Sequence, residues 1–278
     1  MTAFLQYEFL RNAILAGLLV SFACAIVGTL VVVRRMVFLA GGIAHASFGG
    51  IGIGYLLGLD PILSALGFSV LAALGMGAAV GRVRVSEDSA IGILWAIGMA
   101  LGVLFVGLVP GYVPDLFSYL FGNILMVPRN EVLLMALLDL AILMVTLAFY
   151  KELVAVCFDP EFSWVVGVRT QVFSTVLLVM VAVTCVMLIR TVGIVLVLAL
   201  ITIPSVIARH LTSSLRRMMA LSGFFGFGFV LGGLLLSYLF DVPSGATIVL
   251  LGGGTFLLVE VMGGIRARWT PSGSKARP

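Results

Sequence analysis

The sequence predicts an all-α, polytopic membrane protein of about nine transmembrane helices, with eight as the alternative count. Three observations carry this. Of 278 residues, 62% are hydrophobic and 10% charged, whereas a soluble domain carries roughly a quarter charged residues; the mean hydropathy is +1.26. Apolar stretches of the ~20 residues needed to cross a hydrocarbon core about 30 Å thick recur along the whole chain. The Lys and Arg residues fall almost entirely between those stretches.

In order, the candidate spans are 9–33, 38–59, 62–80, 91–109, 132–150, 172–189, 192–208, 218–240 and 246–263. The first is too long for a signal-peptide core and no basic segment precedes it, so it is expected to persist as a span. Helix breaks are expected at Arg34-Arg35, Asp60-Pro61, Arg82 to Ser89, Pro110 to Asp115, Pro128 to Glu131 and the longer polar segment Lys151 to Gln171. The apolar segment Leu116 to Val127 is too short to cross at 1.5 Å per residue and is expected to be re-entrant or interfacial. Glycine-rich runs such as Gly49 to Gly54 and Gly223 to Gly233 lie inside spans. There small residues allow helices to approach closely, or unwound backbone lines a pathway.

Counting Lys and Arg loop by loop sets the expected orientation. Arg34, Arg35, Arg82, Arg84, Lys151, Arg169, Arg209, Arg216, Arg217, Arg266, Arg268, Lys275 and Arg277 fall on one side, leaving Arg11, Arg129 and Arg190 for the other. The N-terminus is therefore expected outside and the C-terminus inside, with 1–265 a single transmembrane domain and 266–278 a short basic cytoplasmic tail. The net charge of +4 is explained by this topology, and nucleic acid is not an expected partner.

Several chemistries are excluded. No GxxxxGK[ST] segment is present to cradle nucleotide phosphates, so the chain is not expected to hydrolyse ATP by itself. Cys24, Cys157 and Cys185 have no CxxC or Cys/His spacing and read as small apolar fillers. Few polar residues lie within the spans, where each is costly. His45 lies near the bilayer midplane; its imidazole fits metal ligation or a proton relay, or a hydrogen bond to a neighbouring helix. Asp139 lies roughly 12 Å deep and requires a cation, a proton or a paired donor. Glu260 is close enough to the inner end of the last span to reach the interface or pair with Arg266 or Arg268.

The polar segment after the fifth span is different in kind. Asp159 followed by Pro160 and Glu161 is a helix-start signal, and Gly167 is a stop. A short amphipathic helix near 159–168 would expose Phe162 and Trp164 beside charges, as a docking surface or lying on the membrane plane.

Several stretches, in order, resemble the permeases of bacterial zinc and manganese ABC importers across nearly the whole chain. Gly41-Gly42-Ile43-Ala44-His45-Ala46-Ser47-Phe48-Gly49-Gly50 is similar to the family's Gly-Asp-x-x-(Ser/Ala)-His-Ala segment. Asp88 to Ile93, Asp115 to Gly122, Asp159 to Gly167, Val192 to Arg209 and Ser237 to Gly245 match further family stretches. The resemblance implies a multi-pass subunit of the inner (cytoplasmic) membrane, paired with a second copy of itself. It further implies a cytoplasmic ABC ATPase dimer that carries the ATP and docks on a coupling helix at Asp159, Glu161, Phe162, Trp164 and Gly167, and an extracytoplasmic metal-binding protein that hands over the ion.

His45 carries over as a metal-site and pathway residue, with Asp139 and Asn123 also placed along the pathway. Two positions depart from the family: Gly41 stands where an aspartate usually faces the histidine, and Asn123 where an acid is frequent. Loss of these carboxylates weakens the pull on a divalent ion. The cargo expected from the resemblance is zinc, with manganese or iron as alternatives. A metal chelate or vitamin carried by the same architecture, or a proton-coupled secondary carrier using His45 and Asp139, stand as rival readings.

Overall fold

The computed structural model describes residues 7–79, 87–110, 119–120, 122–191, 193–194 and 197–269. All regular structure among them is helical. Eight helices are long and apolar enough to cross a membrane: α1 (Glu8–Arg34), α2 (Val37–Leu57), α3 (Pro61–Ala79), α4 (Glu87–Gly107), α5 (Arg129–Ala148), α8 (Thr170–Thr191), α10 (Leu215–Phe240) and α11 (Ser244–Trp269). Two short helices, α6 (Tyr150–Phe158) and α7 (Pro160–Val165), lie between α5 and α8. The ninth expected span is α9 (Val197–Leu211), an apolar helix of only 15 residues with Pro204 inside it. It is shorter than its apolar stretch because the chain breaks at Gly193, whose φ of +82° closes the end of α8 onto the carbonyls of Leu188 and Ile189.

Within Leu116 to Val127, the described residues include helical Tyr119 and Leu120 and a 3-10 turn, Ile124–Met126, whose Ile124 is buried beside α1. The family-like stretch 115–122 and the basic residues Arg82 and Arg84 lie largely outside the described residues, as does 270–278 of the tail.

Packing divides the spans into central and peripheral ones. The most apolar window of α2 is 83% buried and that of α1 78%, against 17% for α4 and α11, so the last two turn most of their surface outward. Helix α2 packs on α3, α4, α8 and α9, while α1 packs on α5, α8, α9 and α10, and α9, α10 and α11 also pack on one another. The glycine run of α2 is a close-contact face: a Cβ on Gly50 would stand 2.7 Å from the Ala65 Cα and Ser64 carbonyl of α3, and one on Gly52 would stand 2.7 Å from the Gly102 carbonyl of α4. Backbone cannot yield as a side-chain tip can, so Gly50→Leu is expected to overpack this interface by about 1–3 kcal/mol. The check is the folded, monodisperse yield after detergent extraction, which should fall sharply; an unchanged yield and thermal midpoint would show that α2 and α3 do not pack this closely.

Helix α1 contains a π-helical turn, Cys24–Gly28. Its Gly28 lies against the Ile201 carbonyl of α9, an approach that leaves no room for a side chain. At the other end, Arg34 Nη1 donates to the Val156 carbonyl of α6 at 2.7 Å and Nη2 to the Ser174 hydroxyl of α8 at 2.8 Å. The end of the first span is thus bolted to the segment that leads into α7.

Candidate functional site

His45 is the ninth residue of α2, roughly 12 Å from its start at 1.5 Å per residue. The ring is 8% exposed and stacks on Trp95 of α4, with centroids 3.8 Å apart and planes 25° from parallel. Its Nδ1 lies 3.0 Å from the Gly41 carbonyl one turn earlier. A carbonyl only accepts, so Nδ1 carries the proton and the neutral ring keeps its lone pair on Nε2. Backbone and stack together fix the tautomer and the plane of a potential ligand.

The position of the family aspartate is filled by a hydrocarbon. A Cβ on Gly41 would stand 2.9 Å from Cδ1 of Leu198 on α9. Gly41→Asp alone is therefore expected to fold less well, whereas Gly41→Asp with Leu198→Ala should accommodate the carboxylate. Isothermal titration of the double variant with zinc and manganese should show tighter binding than the parent chain; equal affinity would argue that residue 41 does not face the same space as Nε2.

Asp139 lies in α5, only 4% exposed, and neither carboxylate oxygen has a hydrogen-bond partner. Cys24, in the π-helical turn of α1, is within electrostatic reach of both Asp139 and Cys185. Helix α5 packs on α1, α6 and α8, whereas α2 packs on α3, α4, α8 and α9. Among the described residues no three His, Cys, Asp or Glu side chains gather as a metal-binding set. Asn123 is exposed and its Oδ1 accepts from the Leu125 N–H, capping the 3-10 turn. His45 and Asp139 thus lie on different helices with largely different neighbours, and Asn123 caps a turn beside α1.

The segment after α6 forms as its sequence dictates. Asp159 Oδ1 accepts from the Phe162 N–H at 2.9 Å, Pro160 occupies the first turn, and Gly167 turns the chain at φ +91°. The Asp159 and Glu161 side chains are exposed, as are Phe162 at 65% and Trp164 at 71%, with Val165 and Val166 beside them. Ser163 faces inward and donates to the Asp159 carbonyl. Cys157, at the base of this segment, has its thiol pushed up to about 11 by burial, against a weaker opposing pull from Arg34. It stays protonated and inert at neutral pH, a filler like Cys24 and Cys185, which are also buried and free.

Two partners of His45 were not evident in the sequence. Trp95 had a signal, since a tryptophan inside a span is away from the interfacial belt where that residue concentrates. Leu198 had none, being one leucine among many. Glu260 meets His210 of α9 at 2.8 Å, because α9 and α11 pack side by side.

Among the described residues, eight long apolar helices and one short one, with an oriented imidazole inside the bundle, are the features of a multi-pass membrane protein. Residues 6–263 match the model of the ABC 3 transport family, and the chain belongs to that family. It is 43% identical over 254 residues to an uncharacterized membrane protein of Synechocystis sp., covering 91% of this chain and 90% of the relative. It is 34% identical to the manganese transport system membrane protein MntC of Halalkalibacterium halodurans, covering 91% and 87%. Among solved structures, PsaBC from Streptococcus pneumoniae in complex with Fab superposes with a TM-score of 0.84 at 31% identity over 93% of each chain. The protein is a multi-pass subunit of the cytoplasmic membrane, and not the ATPase.

Proposed function

We propose that the chain is the permease of an ATP-driven importer for a divalent transition-metal ion. The observation that carries this reading is His45, an imidazole buried in a central span with Nδ1 committed to Gly41 and its lone pair left on Nε2. A neutral imidazole nitrogen suits zinc and iron, while manganese favours oxygen ligands, and a single nitrogen by itself does not choose the cargo. Selectivity then resides mainly in an external binding protein, and manganese is the first cargo to test because MntC at 34% identity is named for it. Zinc and iron complete the panel.

In this reading the end bearing Arg34, Arg35 and Arg209 is cytoplasmic, and α7 docks on the ATPase. Two copies of the chain pair about the pathway, and ATP-driven closure of the motor pushes α7 and tilts the spans. The anchoring of Arg34 to Val156 and Ser174 supports such a transmission, since it couples α1, α6 and α8 directly. The test is uptake of manganese, iron and zinc, one ion at a time, by a deletion strain complemented with the chain, with and without its ATPase. Restored uptake of at least one ion that requires the ATPase is the expected result. Uptake that proceeds without the ATPase would replace this reading with the proton-coupled carrier.

A further inference from the structure

We propose that Asp139 is a proton-binding site of the permease, protonated in the conformation of the structure and deprotonated when α1 and α5 part during the transport cycle. Asp139 is the eleventh of the 20 residues of α5, in the middle of a helix long enough to span. It is 4% exposed, and neither carboxyl oxygen has a hydrogen-bond partner. A carboxylate without a donor in such a place is costly enough to be neutralised, by a proton or by a cation. The surroundings offer too little for a cation. No three His, Cys, Asp or Glu side chains gather among the described residues, and one carboxylate beside a thiol leaves most of the coordination of a divalent ion unfilled. A proton needs one oxygen and no cavity.

The elements packed on α5 are α1 with its π-helical turn, α6 and α8. Helix α1 presents Cys24, within electrostatic reach of Asp139, and Cys185 of α8 reaches the same thiol. The other titratable residues of α1, Glu8, Arg11 and Arg34, stand near its ends, and Tyr150, Lys151, Glu152 and Cys157 of α6 follow the end of α5. Arg129 and Glu131 lie in the first turn of α5 itself. The side chain of Arg190 on α8 lies outside the described ones. Helix α1 leaves α-geometry where it meets Asp139, since its π-helical turn begins at Cys24. Such a turn holds one residue more than an α-helical one. Its reversion would rotate one end of α1 against the other by about 100° and slide it by about 1.5 Å, changing what faces the carboxyl. The end of α1 beyond the turn is tied through Arg34 to Val156 of α6 and Ser174 of α8, so a push arriving through α7 and α6 is carried to it. As the seam opens, the carboxyl O–H bond breaks, the proton passes to entering water, and the carboxylate is solvated there; closing reverses both steps. Because α5 and α2 have largely different neighbours, this proton is bound apart from His45.

Infrared spectroscopy of the full chain in detergent reads the protonation directly. The expected result at neutral pH is a carboxylic-acid carbonyl band that shifts in heavy water and is missing from Asp139→Asn, whose amide has the shape of the neutral acid. Should that variant fail to fold, isotope-labelled aspartate in the parent assigns the band. Holding the complex with its ATPase by a non-hydrolysable ATP analogue is expected to diminish the band; a band that does not change removes the release step. A parent without the band at neutral pH overturns the proposal, because an ionised Asp139 would then have a partner such as Arg190. Loss of the band on adding manganese or zinc overturns it too, by making the residue a cation ligand. In proteoliposomes with the ATPase, metal uptake by Asp139→Asn is expected to fall on the order of tenfold and to lose the pH dependence of the parent, while Asp139→Glu keeps that dependence. Uptake by Asp139→Asn at the parent rate and with the parent pH profile would leave a merely packed acid. The uptake arm rests on the importer reading and the infrared arm does not, so a parent that carries no metal would sink that reading while the band still decides the proton site.

Discussion

His45→Ala is expected to lower ATPase-dependent metal uptake by at least about tenfold while leaving the amount of folded chain in the membrane unchanged. The magnitude follows from the role proposed for the residue: losing even an outer partner of a metal ligand costs about 10–100-fold in affinity or activity, and in the proposed reading the ligand itself goes. The ring makes one hydrogen bond, to a backbone carbonyl that already serves its own helix, so its removal leaves no uncompensated charge. The lost stack on Trp95 exposes apolar surface only. Uptake scored against expression, for each of manganese, iron and zinc, is the measurement. Trp95→Leu should give a smaller loss, because it frees the plane of the ring but keeps the nitrogen. If His45→Ala transports all three ions at the parent rate, the imidazole is a packing residue and the pathway lies elsewhere.

The parts of this site that sequence made legible are those fixed by a short stretch of chain. The depth of His45 follows from its spacing from Arg35, and the four-residue period of one helix puts Gly41 on its face, although the ring bonds to that residue's carbonyl and not to a neighbouring helix as one sequence reading had it. The Asp159 cap, the Pro160 start and the Gly167 stop were readable for the same reason. What could not be read depends on how helices rotate against one another. The stack of Trp95 on His45, the filling of the Gly41 space by Leu198, and the reach of Arg34 to Val156 join residues 50 to 157 positions apart. Hydropathy says that such segments are buried but not which faces meet. Asp139 illustrates the boundary: its burial was foreseeable, while the absence of any donor beside it required the packed bundle.

Phe162→Ala combined with Trp164→Ala is expected to abolish ATP-coupled uptake and to release the ATPase from the permease, with the bundle intact. Both rings are largely exposed, at 65% and 71%, on a helix whose own stability comes from Asp159, Pro160 and the inward-facing Ser163. Removing them therefore leaves α7 formed. An aromatic side chain at the centre of a protein interface commonly contributes ~2 kcal/mol or more, and such a loss weakens binding about 30-fold. Asp159→Ala should act differently, since loss of an N-cap costs about 1 kcal/mol and unsettles the helix while sparing its aromatic face. Co-purification of the ATPase with each variant separates these effects from loss of the chain itself. Retention of the ATPase by the double variant, with uptake preserved, would place Phe162 and Trp164 on the membrane surface instead. The push that drives transport would then have to enter through another part of the same end, where Arg34 already couples the first span to α6 and α8.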